Sequence, residues 1–312
     1  MNKKEKVVIT GGAGFIGSHL IERLLEKGYA VIVLDDLSSG NIENIERFID
    51  DNSIEFVRGS VTDLPLLERS FQGVRYVFYL AAIPGVLQSV INPMPSHEII
   101  LGGLLNALIA AKDNQVDKVI YASSSSVYGD TPTLPKEEGM IPNPLSPYAA
   151  MKLAAEYYCR AFYKVYQLKT VCLRYFNVYG PRQSSQYAAV IPEFITAVNN
   201  GKATVIEGDG KQTRDFTYVK DAVEATVLSA ESDAIGEYNI ARGESITINE
   251  LAKLIMRLTG RDVEIIHEAP RPGDVKHSLA DISRAKTFGY QPEFSLEDGL
   301  SETIRWFNDG QD

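Results

Sequence analysis

Cysteine is nearly missing: only Cys159 and Cys172 occur in 312 residues, and they do not form a close pair. A disulfide framework is therefore excluded, and a reducing compartment is expected, with the cytoplasm as the default. Histidine is scarce as well. His19, His97, His267 and His277 show no paired ligand spacing, and both cysteines lie in apolar periodic segments, so no metal is predicted. Positive charge is in deficit, with 31 Lys and Arg against 41 Asp and Glu and a formal net charge of -10. That balance argues against a general grip on nucleic acid or an acidic membrane surface. No apolar run approaches the roughly 18 residues that read as a membrane span. The short apolar run behind Met1-Asn2-Lys3-Lys4-Glu5-Lys6 is too brief for a signal segment. Internal repeats and low-complexity segments are also lacking.

What is present is a 45% apolar chain long enough for one large core and a smaller lobe. Short apolar runs alternate with helical-period segments through the first half. Strands are predicted at Val7–Thr10, Ala30–Asp35, Ile54–Arg58, Arg75–Leu80, Lys118–Ser123 and Thr170–Arg174, with helices at Ile16–Lys27, Leu64–Phe71, Leu104–Asn114 and Pro147–Gln167. Beyond Asn177 the pattern loosens into Gly- and Pro-punctuated loops, with helices near Ala189–Asn200, Asn249–Thr259 and Leu296–Asn308. The expected fold is α/β: a Rossmann-type doubly wound parallel sheet with a smaller mixed α/β substrate lobe. The sheet domain is expected over 1–176 with a return segment at 215–241, and the lobe over 177–214 and 242–312.

The first strand runs into Gly11-Gly12-Ala13-Gly14-Phe15-Ile16-Gly17, a G-x-x-G-x-x-G spacing that opens a helix. Missing side chains let the backbone turn tightly and approach a pyrophosphate, which the helix N-terminus stabilises. A tight turn without a ligand uses glycine too, so the loop needs its context. Asp35 ends the next strand, where a carboxylate accepts from an adenosine ribose or serves as a turn residue. Asp36-Leu37-Ser38-Ser39-Gly40 carries no cation for a ribose phosphate, which favours NAD over NADP. Asp63 either meets the adenine amine or caps the helix starting at Leu64.

Tyr148 and Lys152, at i and i+4, share one helix face, and Ser124 follows the strand ending at Ser123. Cations near the phenol lower its pKa, so Lys152 and an oxidised nicotinamide would make Tyr148 a base near neutrality, with Ser124 as hydrogen-bonding partner. The aromatic helix with Tyr157, Tyr158, Phe162, Tyr163 and Tyr166 is read as core packing, with a cofactor or partner face as the alternative.

With these motifs, and with Arg174-Tyr175-Phe176-Asn177-Val178-Tyr179-Gly180-Pro181-Arg182, Arg214-Asp215-Phe216 and Arg271-Pro272-Gly273-Asp274, the chain resembles an extended short-chain dehydrogenase/reductase of the nucleotide-sugar 4-epimerase type nearly end to end. The resemblance implies a tightly held NAD that oxidises carbon 4 of a UDP-hexose and returns the hydride to its other face. By matching position, Tyr148 is the base, Ser124 its partner and Lys152 the ribose anchor. NAD would lie along Gly11, Gly14, Phe15, Ile16, Gly17, Asp35, Asp36, Leu37, Ser38, Ser39, Gly40, Val61, Asp63, Leu80, Ala81 and Ala82. The UDP-sugar would meet Ser124, Ser125, Ser126, Pro84, Asn177, Ala189, Val190, Arg214, Arg271 and Ser278. Asn177 is alternatively a loop-fixing residue, and Arg214 and Arg271 alternatively pair with Asp215 and Asp274. A homodimer through the helices at 104–114 and 147–167 is implied in the same way.

Similar 4,6-dehydratases place an Asp-Glu pair directly after the Ser/Thr to eliminate water, and similar decarboxylases carry a Glu there; this chain has Ser125 and Ser126. UDP-glucuronate 4-epimerases share the serine run and remain open as an alternative. Ser278 occupies a gate position in similar epimerases, where a small residue admits a 2-acetamido group; alternatively it is a small turn residue. UDP-GlcNAc/UDP-GalNAc interconversion, with UDP-Glc/UDP-Gal retained, is therefore expected. Two departures stand out: Tyr79 where relatives have His, and Ile100 where they have an Asn that supports the active-site backbone. An NAD-binding scaffold without turnover and a net reductase are the other classes to be separated.

Overall fold

Strand β1 (Lys6–Thr10) contains three consecutive residues, Val7, Val8 and Ile9, with no exposed surface. An uninterrupted apolar run of this kind suits a parallel strand covered on both faces. The computed structural model describes residues 4–83, 85–184, 189–270 and 275–310. Its main sheet also contains β2 (Ala30–Asp35), β3 (Ile54–Arg58), β4 (Val74–Tyr79), β5 (Lys118–Ser124), β6 (Lys169–Tyr175) and a last strand, Gly236–Ile240. Their spatial order is β3-β2-β1-β4-β5-β6 and then Gly236–Ile240, and every pairing is parallel. The order reverses between β1 and β4, which opens a crevice at the carboxyl ends of the strands.

Side-chain alternation along β1 divides the interior. Val7 and Ile9 join Leu20 and Leu24 of helix α1 (Phe15–Glu26) and Val223 of helix Val219–Glu231 in one core. Val8 faces the other core, with Leu67, Leu104 and Met151 from helices Leu64–Ser70, Leu104–Asp113 and Pro147–Tyr166. Each fully buried Leu or Val contributes about 1.5–3 kcal/mol relative to exposure. Helix Pro93–Asp113 is apolar and long enough by composition to cross a membrane, and 44% of its apolar window is buried inside the protein.

The core reading of the aromatic helix holds only in part. Phe162 is buried, whereas Tyr157, Tyr158 and Tyr166 are 40–53% exposed. The stripe is wider than the face that the sheet covers, so its outer tyrosines have no core to enter.

The second half builds a looser lobe. Short strand pairs join Val178–Tyr179 to Thr217–Tyr218, Thr213–Arg214 to Ile246–Thr247, and Thr204–Glu207 to Ile265–Glu268. Helices Val190–Asn199, Ile248–Thr259 and Leu296–Asp309 pack around them. Thr247 and Glu250 form a capping box at the start of the second of these helices.

Candidate active site

The crevice at the reversal of strand order opens into a cleft of about 1640 Å³. A single small-ligand pocket occupies about 300–1,000 Å³, so this cleft has room for two ligands. At its floor, Gly11 turns with φ +74, and a Cβ there would lie 2.7 Å from the Ala81 amide nitrogen. A Cβ on Gly17 would sit 2.4 Å from the Gly11 carbonyl oxygen, so this glycine lets helix α1 start hard against the turn. Gly14 is different, because a Cβ would meet only the Gly11 oxygen, at 3.2 Å. Gly14 is also the N-cap of α1 and supplies no side-chain acceptor to the first-turn N–H groups. An uncapped helix N-terminus facing open space fits a pyrophosphate.

Asp35 is buried at the end of β2, where its two oxygens accept from the Ala13 and Leu37 amides, both at 2.9 Å. Burial pushes its carboxyl up, and the two amides pull it partly back. Asp35 thus fastens the glycine loop to β2 while still lining the cleft. Asp36 lines it too and accepts from the Ser38 amide. Phe15, Ile16, Ser38, Ser39, Gly40, Val61, Leu80, Ala81 and Ala82 stand along the same wall. Two expected cofactor residues lie elsewhere. Asp63 caps helix Leu64–Ser70, accepting from the Leu66 amide at 3.0 Å, and Leu37 packs against the core with φ 62. A free N–H in the first helical turn is a nearer partner for Asp63 than a ligand across the cleft.

Tyr148, Lys152 and the serine run Ser124-Ser125-Ser126 meet in the middle of the cleft. Ser124 lies beside the Tyr148 phenol, where its hydroxyl favours the ionised form, and accepts from the Ser126 amide at 3.2 Å. Lys152 donates to the Ala122 carbonyl at 2.7 Å, with its ammonium 5.0 Å from the Tyr121 ring centre and 5.5 Å from that of Tyr148. Burial pushes the Tyr148 phenol up to about 12, and the Ser124 hydroxyl opposes it. The same burial pushes Lys152 down to about 7, with Glu156 opposing. Burial outweighs Ser124 here, and the net shift of the phenol is upward. Ser126 lines the same space, and its hydroxyl is buried without a partner.

The two departures, Tyr79 and Ile100, are buried in the same core. Glu98–Gly103 is a π-helical turn, which changes the carbonyl partners within the helix. The Tyr79 hydroxyl donates to the Ile99 carbonyl there at 2.6 Å. Gly103 makes room, since a Cβ on it would lie 2.5 Å from the Tyr79 hydroxyl and 2.4 Å from Val61. Ile99 and Val61 both line the cleft, so the Tyr79 hydroxyl holds a segment of its wall.

On the lobe side, Asn177, Ala189, Arg214 and Ser278 reach the cleft. Asn177 sits at φ 35 and donates to the Asp215 carbonyl at 3.0 Å. Asp215 does not pair with Arg214 through its carboxylate. That group instead accepts from the Arg242, Gly243 and Ala280 amides, each at 3.1 Å, and burial pushes it up to about 7. Val190 starts helix Val190–Asn199 and packs on the core rather than on the cleft. Pro84 and Arg271 lie outside the described residues. The sequence reading missed Lys136, Arg182, Gln183 and Trp306 as cleft residues. The unpartnered buried Nη1 of Arg182 and Oε1 of Gln183 belong to side chains next to the Tyr179-Gly180-Pro181 motif, and that adjacency was the available signal. Among the described residues, no group of three His, Cys, Asp or Glu side chains is placed to hold a metal.

Comparison with known proteins adds relatives to this geometry. The family described as GDP-mannose 4,6 dehydratase matches residues 8–303. The UDP-glucose 4-epimerase of Mycolicibacterium smegmatis is 37% identical over 97% of this chain and 98% of its own. The structure of UDP-N-acetylglucosamine 4-epimerase from Methanobrevibacter ruminantium M1, in complex with UDP-N-acetylmuramic acid, superposes with a TM-score of 0.95 at 43% identity, covering 99% of both chains. That of the Thermus thermophilus UDP-glucose 4-epimerase complex with NAD gives 0.90 at 36% identity over 97% of this chain and 99% of the other.

Proposed function

Because the chain belongs to the GDP-mannose 4,6 dehydratase family of extended short-chain dehydrogenases/reductases, we propose that it is an NAD-dependent isomerase that inverts carbon 4 of UDP-hexoses. The family description names a dehydratase, but the distribution of acids argues for epimerisation. Among the described residues, the carboxylates lining the cleft are Asp35, Asp36, Glu43 and Glu46, all on or just after β2. Among the described residues, the run that follows β5 beside Tyr148 carries hydroxyls, Ser124, Ser125 and Ser126, and no carboxylate, and a serine cannot replace the acid and base that water elimination needs at neutral pH.

Bound NAD supplies reversible acceptance of the carbon 4 hydride, and the chain's own groups handle the proton and the pose. Tyr148 accepts the proton of the 4-hydroxyl and returns it after the 4-keto sugar has turned over. Since burial alone pushes this phenol up to about 12, the lowering it needs comes from the Lys152 ammonium and the positive nicotinamide ring. Ser124 orients the hydroxyl. Arg214 and Asn177 face the diphosphate, and a guanidinium suits its oxygens. Half-buried Ser278 leaves space for a 2-acetamido group, which admits the UDP-GlcNAc/UDP-GalNAc pair while UDP-Glc/UDP-Gal is retained. UDP-glucuronate is the competing substrate, since uronate epimerases share the serine run. The cytoplasm is the proposed location. A homodimer is proposed through helix Pro147–Tyr166, whose Tyr157, Val165 and Tyr166 are more than half exposed.

The deciding experiment incubates the purified protein, without added NAD, separately with UDP-Gal, UDP-GalNAc and UDP-GalA, and resolves the products by chromatography. Inversion of UDP-GalNAc with no net growth of reduced-nicotinamide absorbance is expected. Inversion of UDP-GalA alone would move the assignment to the uronate. Accumulating reduced nicotinamide, or no inversion of any sugar, would end the proposal.

A further inference from the structure

A continuous chain of buried hydrogen bonds runs behind the catalytic groups and out to the gate segment of the lobe. Glu156, one helical turn beyond Lys152, accepts from the Ser123 hydroxyl at 2.5 Å and from Nε and Nη2 of Arg174 at 2.9 and 2.7 Å. The third guanidinium nitrogen of Arg174 donates to the Tyr128 hydroxyl at 2.8 Å. Ser123 immediately precedes the serine run and Tyr128 closes the short 3-10 turn Ser125–Tyr128 that follows it. One ion pair therefore grips both ends of the segment that presents Ser124 to Tyr148.

The chain continues. The Tyr128 hydroxyl donates to Asn239 at 2.6 Å, and the Asn239 amide donates to the carbonyls of Lys136 and Asp281 at 2.8 and 3.1 Å. Lys136 in turn bonds Leu279 and Asp281 through its backbone, at 2.7 and 2.9 Å. Ser278, the proposed gate, is the residue before Leu279. Glu156, Arg174, Tyr128 and Asn239 are each at most 3% exposed. Buried networks of this kind are rigid when every member is satisfied and costly when one is removed.

We propose that Tyr128 is a positioning residue that ties the catalytic serine run to the gate segment 277–281, so that the geometry of Ser124 and the sugar pocket is set by one rigid unit. The proposal deepens the epimerase reading and rests on it for its kinetic consequence. Arg174 and Asn239 are also register partners on neighbouring strands and share Glu138, whose carbonyl and carboxylate accept from them at 3.4 and 2.7 Å; the Tyr128 hydroxyl is the side-chain bond that ties the serine run to this pair. Replacing it by hydrogen leaves the ring, and hence the packing, in place.

The test compares Tyr128→Phe with Tyr290→Phe, which removes another buried tyrosine hydrogen bond, to the Ala241 carbonyl, away from the cleft. Both proteins are taken with their bound dinucleotide. In Tyr128→Phe, kcat for UDP-GalNAc should fall about tenfold with KM within about twofold, and the ratio of N-acetylated to plain hexose turnover should shift. Tyr290→Phe should keep kcat and that ratio within about twofold at a comparable loss of thermal stability. Hydrogen exchange supplies a readout that does not depend on turnover: the peptides covering 124–128 and 277–281 should both exchange faster in Tyr128→Phe alone. Equal kinetic loss in the two variants, or unchanged exchange in either peptide, overturns the link. If Tyr128→Phe does not fold, Asn239→Ser is read by the same exchange criterion. A wild-type protein that inverts no sugar sinks the proposed function, and the exchange result still decides the link.

Discussion

The two walls of the cleft are built on opposite principles. The sheet wall is made of strand ends and a helix start, where Asp35 takes two backbone amides, Gly17 packs on the Gly11 turn, and Gly11 packs on the chain leaving β4. The lobe wall is made of loops and two-residue strand pairs, held together by the buried carboxylate of Asp215 and its three amides. A wall of the first kind suits a cofactor that stays and is the same in every turnover. A wall of the second kind varies by loop changes without disturbing the sheet, which is where a family alters its sugar.

Four substitutions test that division. Tyr148→Phe belongs to neither wall and should have the largest effect: turnover falls about 10²–10⁴-fold while bound NAD, measured by absorbance and release on denaturation, is kept. Unchanged turnover would remove the phenol from the chemistry. Ser278→Tyr should act on the lobe wall alone, suppressing UDP-GalNAc conversion about 10–200-fold and sparing UDP-Gal; an equal loss of both would reject the gate. Gly17→Ala should act on the sheet wall alone. Its new methyl meets backbone that cannot yield, so NAD is lost and stability drops by about 1–3 kcal/mol, with any remaining turnover keeping its sugar ratio.

Asp215→Asn gives the smallest and most specific signal. Asp215 stays protonated in the fold up to about 7, whereas an unfolded Asp ionises near ~3.9. Between those values the unfolded chain binds fewer protons, so this group's contribution to stability is full below about 4, declines as pH rises to about 7, and is lost above. The variant should be less stable overall, because one amide loses its acceptor. Its melting temperature should lack the decline attributable to this carboxyl, and a slope identical to the wild type would show that burial at Asp215 is offset by its amides.

The sheet half was largely legible in the chain. Ala30–Asp35 and Ile54–Arg58 have the predicted bounds, and helix Pro147–Tyr166 ends one residue before its predicted limit. Gly236–Ile240 was anticipated only as part of a return segment, since Gly236-Glu237-Tyr238-Asn239-Ile240 has no continuous apolar run. Asp63 was open between adenine contact and helix cap, and local geometry favoured the cap. Less was legible in the lobe. Asp215 stands next to Arg214 in sequence, which suggests an ion pair, yet its acceptors serve amides at 242, 243 and 280 that no local pattern announces.

Residue order by itself determined the glycine turn, the helix that starts from it, and the shared face of Tyr148 and Lys152, because spacing along a strand or helix dictates direction within a few residues. Only the tertiary structure decided that Ser124 meets that phenol, that Tyr79 supports Ile99 in a π turn, and that Tyr128 reaches an asparagine 111 positions away. Those contacts depend on which segments the sheet order brings together, and their energies come from burial rather than from periodicity.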